Sequence, residues 1–236
     1  MTDPLLLEKR RGRRNMTHKA HPKIFRIKNN SDWDSRWLNQ KNFPEYLEED
    51  FLIREFIESK LKDSGIDRVE IERFPGKINI IINSARPGLI IGRGGQGVEQ
   101  IKRALFQKIF RSNKAKIKEI KVEIKGIKNP WLKARLIGQW TAQQIEKRMP
   151  YRRVLKQAIE KVMNNKEVKG IRIEVAGRLN GAEIARRDWL SKGQLPRQTL
   201  RVNIEYARVK AYCSYGVIGI KVWIYVVEKD KEEKNK

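Results

Sequence analysis

The sequence has 236 residues, of which 53 are Lys or Arg and 28 Asp or Glu, giving a formal charge of +25 with 39% hydrophobic and 34% charged residues. The apolar content suffices for one large core or two smaller ones, and the charge calls for a polyanionic partner, because a compact body so unbalanced repels itself. Basic residues run along the whole chain instead of gathering on one amphipathic helix, which favours nucleic acid and disfavours a membrane partner.

No apolar run approaches the roughly 20 residues of a membrane span. The single Cys213 excludes an internal disulfide framework and reads as a small filler at a strand edge. His18 and His21 have no thiolate partner for zinc and no nucleophile pattern beside them. No catalytic residue, metal or cofactor is therefore expected.

Residues 1–19, with "EKRRGRR", read as a flexible basic arm. Trp33 and Trp37 lie four apart, one helical turn, and are expected to pack together. Helical spacing appears at Ile53, Phe56, Ile57 and Leu61, with Gly65 placed to end that helix. Alternation at Val69, Ile71 and Arg73, then at Ile78, Ile80 and Ile82, predicts two strands turning at "PGK", residues 75–77. After a glycine loop, Val98, Ile101, Leu105 and Ile109 form one helical face, with Lys102, Arg103, Lys108 and Arg111 on the other side. A strand through Ile120, Val122 and Ile124 closes this unit, and "GIKNP" at 126–130 marks a boundary.

The second half opens with a helix through Leu132, Leu136, Trp140 and Ile145, interrupted at Pro150. A second helix carries Val154, Leu155, Ala158 and Val162. Strands follow at Ile171–Val175, at Leu200–Tyr206 and at Ile218–Val226. Asn180-Gly181 predicts a two-residue hairpin between 171–178 and 182–190, since both residues accept positive φ. The last residues, "EKDKEEKNK", read as a disordered charged tail. The expected class is α+β in two domains. The predicted divisions are a basic arm at 1–19, an RNA-binding domain at 20–126, a C-terminal α+β domain at 127–227 and a tail at 228–236.

The glycine loop, "GRGGQG" at 92–97, fits two patterns. As G-x-G-x-x-G it needs a buried strand leading into it, then a helix and a second parallel strand with a ribose-binding acid. "LII" at 89–91 offers little strand, and a helix and a hairpin come before the loop. As G-x-x-G it is the backbone clamp of a KH domain, joining two helices and holding about four nucleotides. The helix-hairpin-loop-helix-strand order favours the second pattern, with Gly92, Arg93, Gly94 and Gly95 as the clamp and Ile90 and Ile91 pinning it from below. A glycine turn without ligand is the plain alternative.

"SARPGLIIGRGGQGVEQI" at 84–101 closely resembles the KH segment of the bacterial-type family of the third protein of the small ribosomal subunit. "GRLNGAEIARRDWL" at 177–190 and "YGVIGIKVWIY" at 215–225 resemble that family's C-terminal signatures, and the similarity runs from about residue 16 to 227. It implies an N-terminal type II KH domain and a C-terminal domain of two helices on a mainly antiparallel sheet. It also implies a cytoplasmic ribosomal protein (an organelle ribosome being left open) whose partners are small-subunit rRNA, neighbouring head proteins and mRNA where it enters.

"YRRVLK" matches the family's basic helix pattern, which assigns Arg152, Arg153 and Lys156 to mRNA. On a helix these three share an exposed side, opposite the apolar set. Gln157 stands where the family often has a further basic residue. Arg178, Arg186 and Arg187 flank the expected hairpin, Arg197 follows it, and all four are assigned to rRNA phosphates. "MTHKAHP" at 16–22 looks like the family's usual start, so residues 1–15 are extra. "HPKIFRI" departs from the family where a glycine is usual.

Overall fold

The computed structural model describes residues 21–27, 32–108 and 119–227. The basic arm, His18, Ile109, Arg111 and the charged tail lie outside the described residues. Within them the chain forms two α+β units, each with one four-stranded sheet.

In the first unit, α1 (Phe43–Lys60) precedes a hairpin of β2 (Ile66–Phe74) and β3 (Lys77–Ser84). The turn is two residues, Pro75-Gly76, because Phe74 pairs with Lys77. Proline fixes the first φ and Gly76, at φ +77°, supplies the positive one. Two helices, α2 (Pro87–Ile91) and α3 (Gln96–Lys108), then lead to β4 (Glu119–Gly126), which lies parallel to β3. A parallel neighbour requires such a crossover. Ile53 and Ile57 from α1, Ile71, Ile80 and Ile82 from the hairpin, and Leu105 from α3 close the core.

Trp33 and Trp37 do not form a helical pair. The chain there is extended, and β1 (Ser35–Arg36) pairs in parallel with β2. Trp33 is exposed, whereas Trp37 packs on Phe43 and Tyr46 and donates from Nε1 to Asp50 Oδ2 at 2.8 Å. The buried Asp50 captures one indole, so sequence spacing did not decide the pairing.

In the second unit, α4 (Ala134–Glu146) and α5 (Tyr151–Met163) cover one face of an antiparallel sheet. Its order is β6 (Arg186–Gly193), β5 (Val168–Gly177), β8 (Gly216–Val226), β7 (Ile204–Cys213). Ile171, Ile173 and Val175 alternate toward the helices, as do Ile218, Ile220, Val222 and Ile224. Half-buried Cys213 ends β7 against this core.

Two expectations change here. Asn180 and Gly181 do take positive φ, +53° and +81°, but inside a short 3-10 turn. Gly177 pairs with Arg186, so residues 178–185 form a longer connection instead of a two-residue hairpin. Leu200 and Val202 also lie before β7, outside the ladder. The carbonyls of Arg197, Thr199 and Val202 accept hydrogen bonds from the buried Arg26 guanidinium, which also reaches Pro22 O. Those acceptors are satisfied by a side chain, so no strand pairing is needed there.

The units meet through polar contacts. Gln139 Nε2 donates to Ile66 O at 3.0 Å, Arg135 pairs with Glu58 at 2.6 Å, and Glu205 accepts Lys133 at 2.9 Å with Arg68 at 3.5 Å. Buried Asp67 lies beside this cluster. Burial pushes its carboxyl pKa up and the Glu205 charge adds to the rise, against the opposing pull of Lys133, Arg68 and Arg135.

Candidate nucleic-acid interface

The glycine loop joins two helices. Gly92 ends α2 at φ +69°, its N–H donated to Gly88 O at 3.0 Å. Gly94 and Gly95 follow at φ +60° and +79°, and α3 starts at Gln96. Among the described residues, a Cβ on Gly94 or Gly95 would meet nothing within 4 Å beyond its chain neighbours. Glycine is thus required there by backbone conformation, and the space beside it is open to a ligand. Arg93 is exposed at the tip. The loop feeds the N-terminus of α3, where the unpaired amides and the helix dipole favour an anion.

Gly97 has a different role. A Cβ there would run into the carbonyl oxygens of Ile90 and Ile91. Its absence lets the first turn of α3 rest on the last turn of α2, fixing the angle at which the loop is presented. Only Ile90 is buried beneath the loop; Ile91 and Leu89 are exposed beside it. Residues 89–91 are helical, so the buried strand that a dinucleotide turn needs is missing.

The second basic group lies on α5. Pro150 stands at its N-cap, where the lost N–H costs no helical bond. Val154, Leu155, Ala158, Ile159 and Val162 are buried, and Arg152, Arg153 and Lys156 are exposed. One helix therefore separates core from cations by its period alone. Arg152 is the most constrained of the three. Its Nε donates to Tyr151 Oη at 3.1 Å, and that hydroxyl donates to Asp188 Oδ2 at 3.0 Å. Tyr151 first, then the Asp188 charge, raise the Arg152 pKa. Half-buried Gln157 follows, where no cation stands.

The four arginines around the 178–185 connection do not form one cluster. Arg178 is half-buried and donates to Ala182 O at 2.9 Å and Tyr215 O at 3.2 Å, so it shapes the connection. Arg186 is exposed at the start of β6. Arg187, one residue on, faces the opposite side of the sheet, with Nε 3.3 Å from Glu174. Arg197 lies over the Trp223 ring at 5.3 Å, and burial, then the Arg172 charge, lower its pKa.

Several basic and aromatic residues on that open sheet face are absent from the sequence-based candidates: Arg172, Trp189, Arg208, Lys210, Lys221 and Trp223. Their signal was the other half of the strand alternation. Arg172 and Glu174 interleave with Ile171, Ile173 and Val175, and Lys221 and Trp223 interleave with Ile220 and Val222.

A KH-domain family model matches residues 52–132, and a model described as the ribosomal protein S3 C-terminal domain matches residues 141–224. Curated relatives named small ribosomal subunit protein uS3 match nearly end to end. That of Caldicellulosiruptor saccharolyticus is 46% identical over 211 residues, covering 89% of this chain and 92% of the relative. That of Lactobacillus gasseri is 42% identical over 221 residues, covering 94% and 96%. That of Enterococcus faecalis is 43% identical over 220 residues, covering 93% and 97%.

Proposed function

The chain belongs to the small ribosomal subunit protein uS3 family, and on that premise we propose that it binds small-subunit rRNA in the head and holds mRNA where it enters. It is a ribosomal protein and not an enzyme. The observation that carries the mRNA reading is α5, whose Arg152, Arg153 and Lys156 stand exposed along one side while the other side is core. Three cations so arranged hold a single strand through its phosphates without reading bases. A strand held this way is kept from re-pairing, while the energy for its movement comes from translocation.

The glycine loop and Arg93 supply a second contact, to rRNA backbone, and Arg186, Arg187 and Arg197 add phosphate contacts from the C-terminal unit. Arg178 reaches rRNA only with what its two carbonyl bonds leave over. A neighbouring head protein suits α1, whose exposed Phe43, Leu47 and Phe51 recur every fourth residue among Glu48 and Glu55. That acidic, apolar face repels RNA and fits a basic protein.

Small subunits reconstituted with Arg152→Ala and Arg153→Ala test the mRNA reading. Assembly and translation of an unstructured message stay normal, and translation through a stable mRNA hairpin slows. Binding of a single-stranded oligoribonucleotide loses salt sensitivity, by a slope of about 0.7 per lost phosphate contact. Equal rates through the hairpin for variant and wild type would refute the assignment.

A further inference from the structure

The face of the C-terminal sheet turned away from α4 and α5 carries three side-chain rows, each crossing all four strands. The register aligns Arg187, Ala176, Gly219 and Lys210 in the first; Trp189, Glu174, Lys221 and Arg208 in the second; and Ser191, Arg172, Trp223 and Tyr206 in the third. We propose that this face is a further RNA-binding site, distinct from the glycine loop and α5, which takes a sugar-phosphate backbone in a trough over Ala176 and Gly219 with a base against Trp189. This rests on the reading that the chain binds RNA and adds a surface to it.

The trough is built from size differences. Its floor is Ala176 and Gly219 on the two central strands, and its walls are Arg187 and Lys210 on the outer two, about 14 Å apart at three strand spacings. Glycine inside a strand weakens it and commonly marks the close approach of another backbone. Nothing in the fold demands it here. Among the described residues, its chain neighbours aside, a Cβ on Gly219 would meet only Ala176 O within 4 Å, at 3.8 Å, and the residue has no positive φ.

The charges are organised. Glu174 is the one acid in the three rows, and it lies within 3.3 Å of Arg187, 3.6 Å of Arg172 and 3.8 Å of Lys221. One carboxylate cannot neutralise three cations, but it holds them in an array. Arg208 and Lys210 add two more exposed charges beside it. Arg172 lies 4.0 Å over the Trp189 ring and 5.9 Å from that of Trp223. Its buried Nε has no hydrogen-bond acceptor among the described residues. Trp189 remains 49% exposed, a ring already stacked on one cation and able to take a base. A basic, aromatic surface of this kind complements RNA and repels the basic proteins common in a ribonucleoprotein.

The full chain, cross-linked to a 4-thiouridine-containing single-stranded oligoribonucleotide and mapped by mass spectrometry, tests this. Cross-links are expected in peptides from 186–193 and 216–226, besides those at the glycine loop and α5. Gly219→Glu, which fills the trough with an anion, abolishes the sheet-face cross-links and leaves the loop cross-links unchanged. Arg208→Glu with Lys210→Glu, both at exposed positions, does the same and lowers the salt slope of binding by about 1.4. Loop cross-links without sheet-face ones, or sheet-face cross-links indifferent to these variants, overturn the site alone. Absence of cross-links anywhere overturns the RNA reading itself. In intact small subunits, links from this face to a protein and not to rRNA also overturn the sheet-face site.

Discussion

At the level of single residues, the glycines of the loop separate into two kinds that the sequence pattern treats alike. Gly92, Gly94 and Gly95 take positive φ, whereas the sequence pattern marked them only for close approach of backbone to phosphate. The need for Gly97 comes from two carbonyls of α2, which the sequence does not show. The two kinds respond differently to a methyl group. Gly94→Ala costs about 1–2 kcal/mol through backbone conformation and weakens RNA binding through the altered loop. Gly97→Ala costs about 1–3 kcal/mol by overpacking and loosens α3 from α2. Urea unfolding of both variants, with amide exchange along α3, distinguishes them: early exchange in Gly94→Ala and not in Gly97→Ala would reverse the assignment. Arg26 was invisible for a related reason. Three of its acceptors are backbone carbonyls more than 170 residues away, and carbonyls leave no mark on residue identity.

Among the elements, alternation located β2, β3, β5 and β8 well because one face of each is buried in aliphatic side chains. It failed at Leu200–Val202, where the pattern is present and the ladder is not. The other half of the same alternation, the basic and aromatic residues between the apolar ones of β5 and β8, marks the face turned away from the helices. Helix α5 was the clearest of the site elements, since its core face and its cations occupy complementary positions of one period. Helix α1 depends on more than its apolar stripe. Arg73 of β2 donates to Asp50 and Glu49 of α1 and lies over the Tyr46 ring at 4.7 Å, with both members of the Arg73–Asp50 pair buried. Arg73→Met removes the cation paired with the buried Asp50 carboxylate and is expected to destabilise the N-terminal unit by about 3–5 kcal/mol. Adding Asp50→Asn should recover part of that loss. Thermal unfolding of the single and double variants decides it, and a double variant no more stable than the single would show that the pair is not what docks the helix.

On the scale of the whole molecule, the two units have separate cores and meet through charges and amides. The turn residues at 126–130 lead to the expectation of a division there, but they carry no information on the joint, whose partners come from β2, α1, α4 and β7. Asp67 makes this joint sensitive to pH. Its folded pKa lies above the ordinary Asp value of 3.8 because of burial first and Glu205 second. Its contribution is therefore fully present below the ordinary value and is lost as pH rises through the raised one. Asp67→Asn should flatten that fall and be the more stable form above the window. Urea midpoints measured across the acid range for both proteins check this; parallel curves would mean that Asp67 is not the titrating group.

The Arg26 anchor also sets an order on synthesis. Its seat is made by the carbonyls of Pro22, Arg197, Thr199 and Val202, so residues near the beginning of the chain wait for residues made near its end. On the ribosome that produces it, the protein can complete its KH-type unit early, but the clasp closes only once Arg197, Thr199 and Val202 have been translated. A prematurely terminated chain that stops short of Arg197 then keeps an unseated leading segment, which distinguishes it from a finished copy before either reaches an assembling subunit.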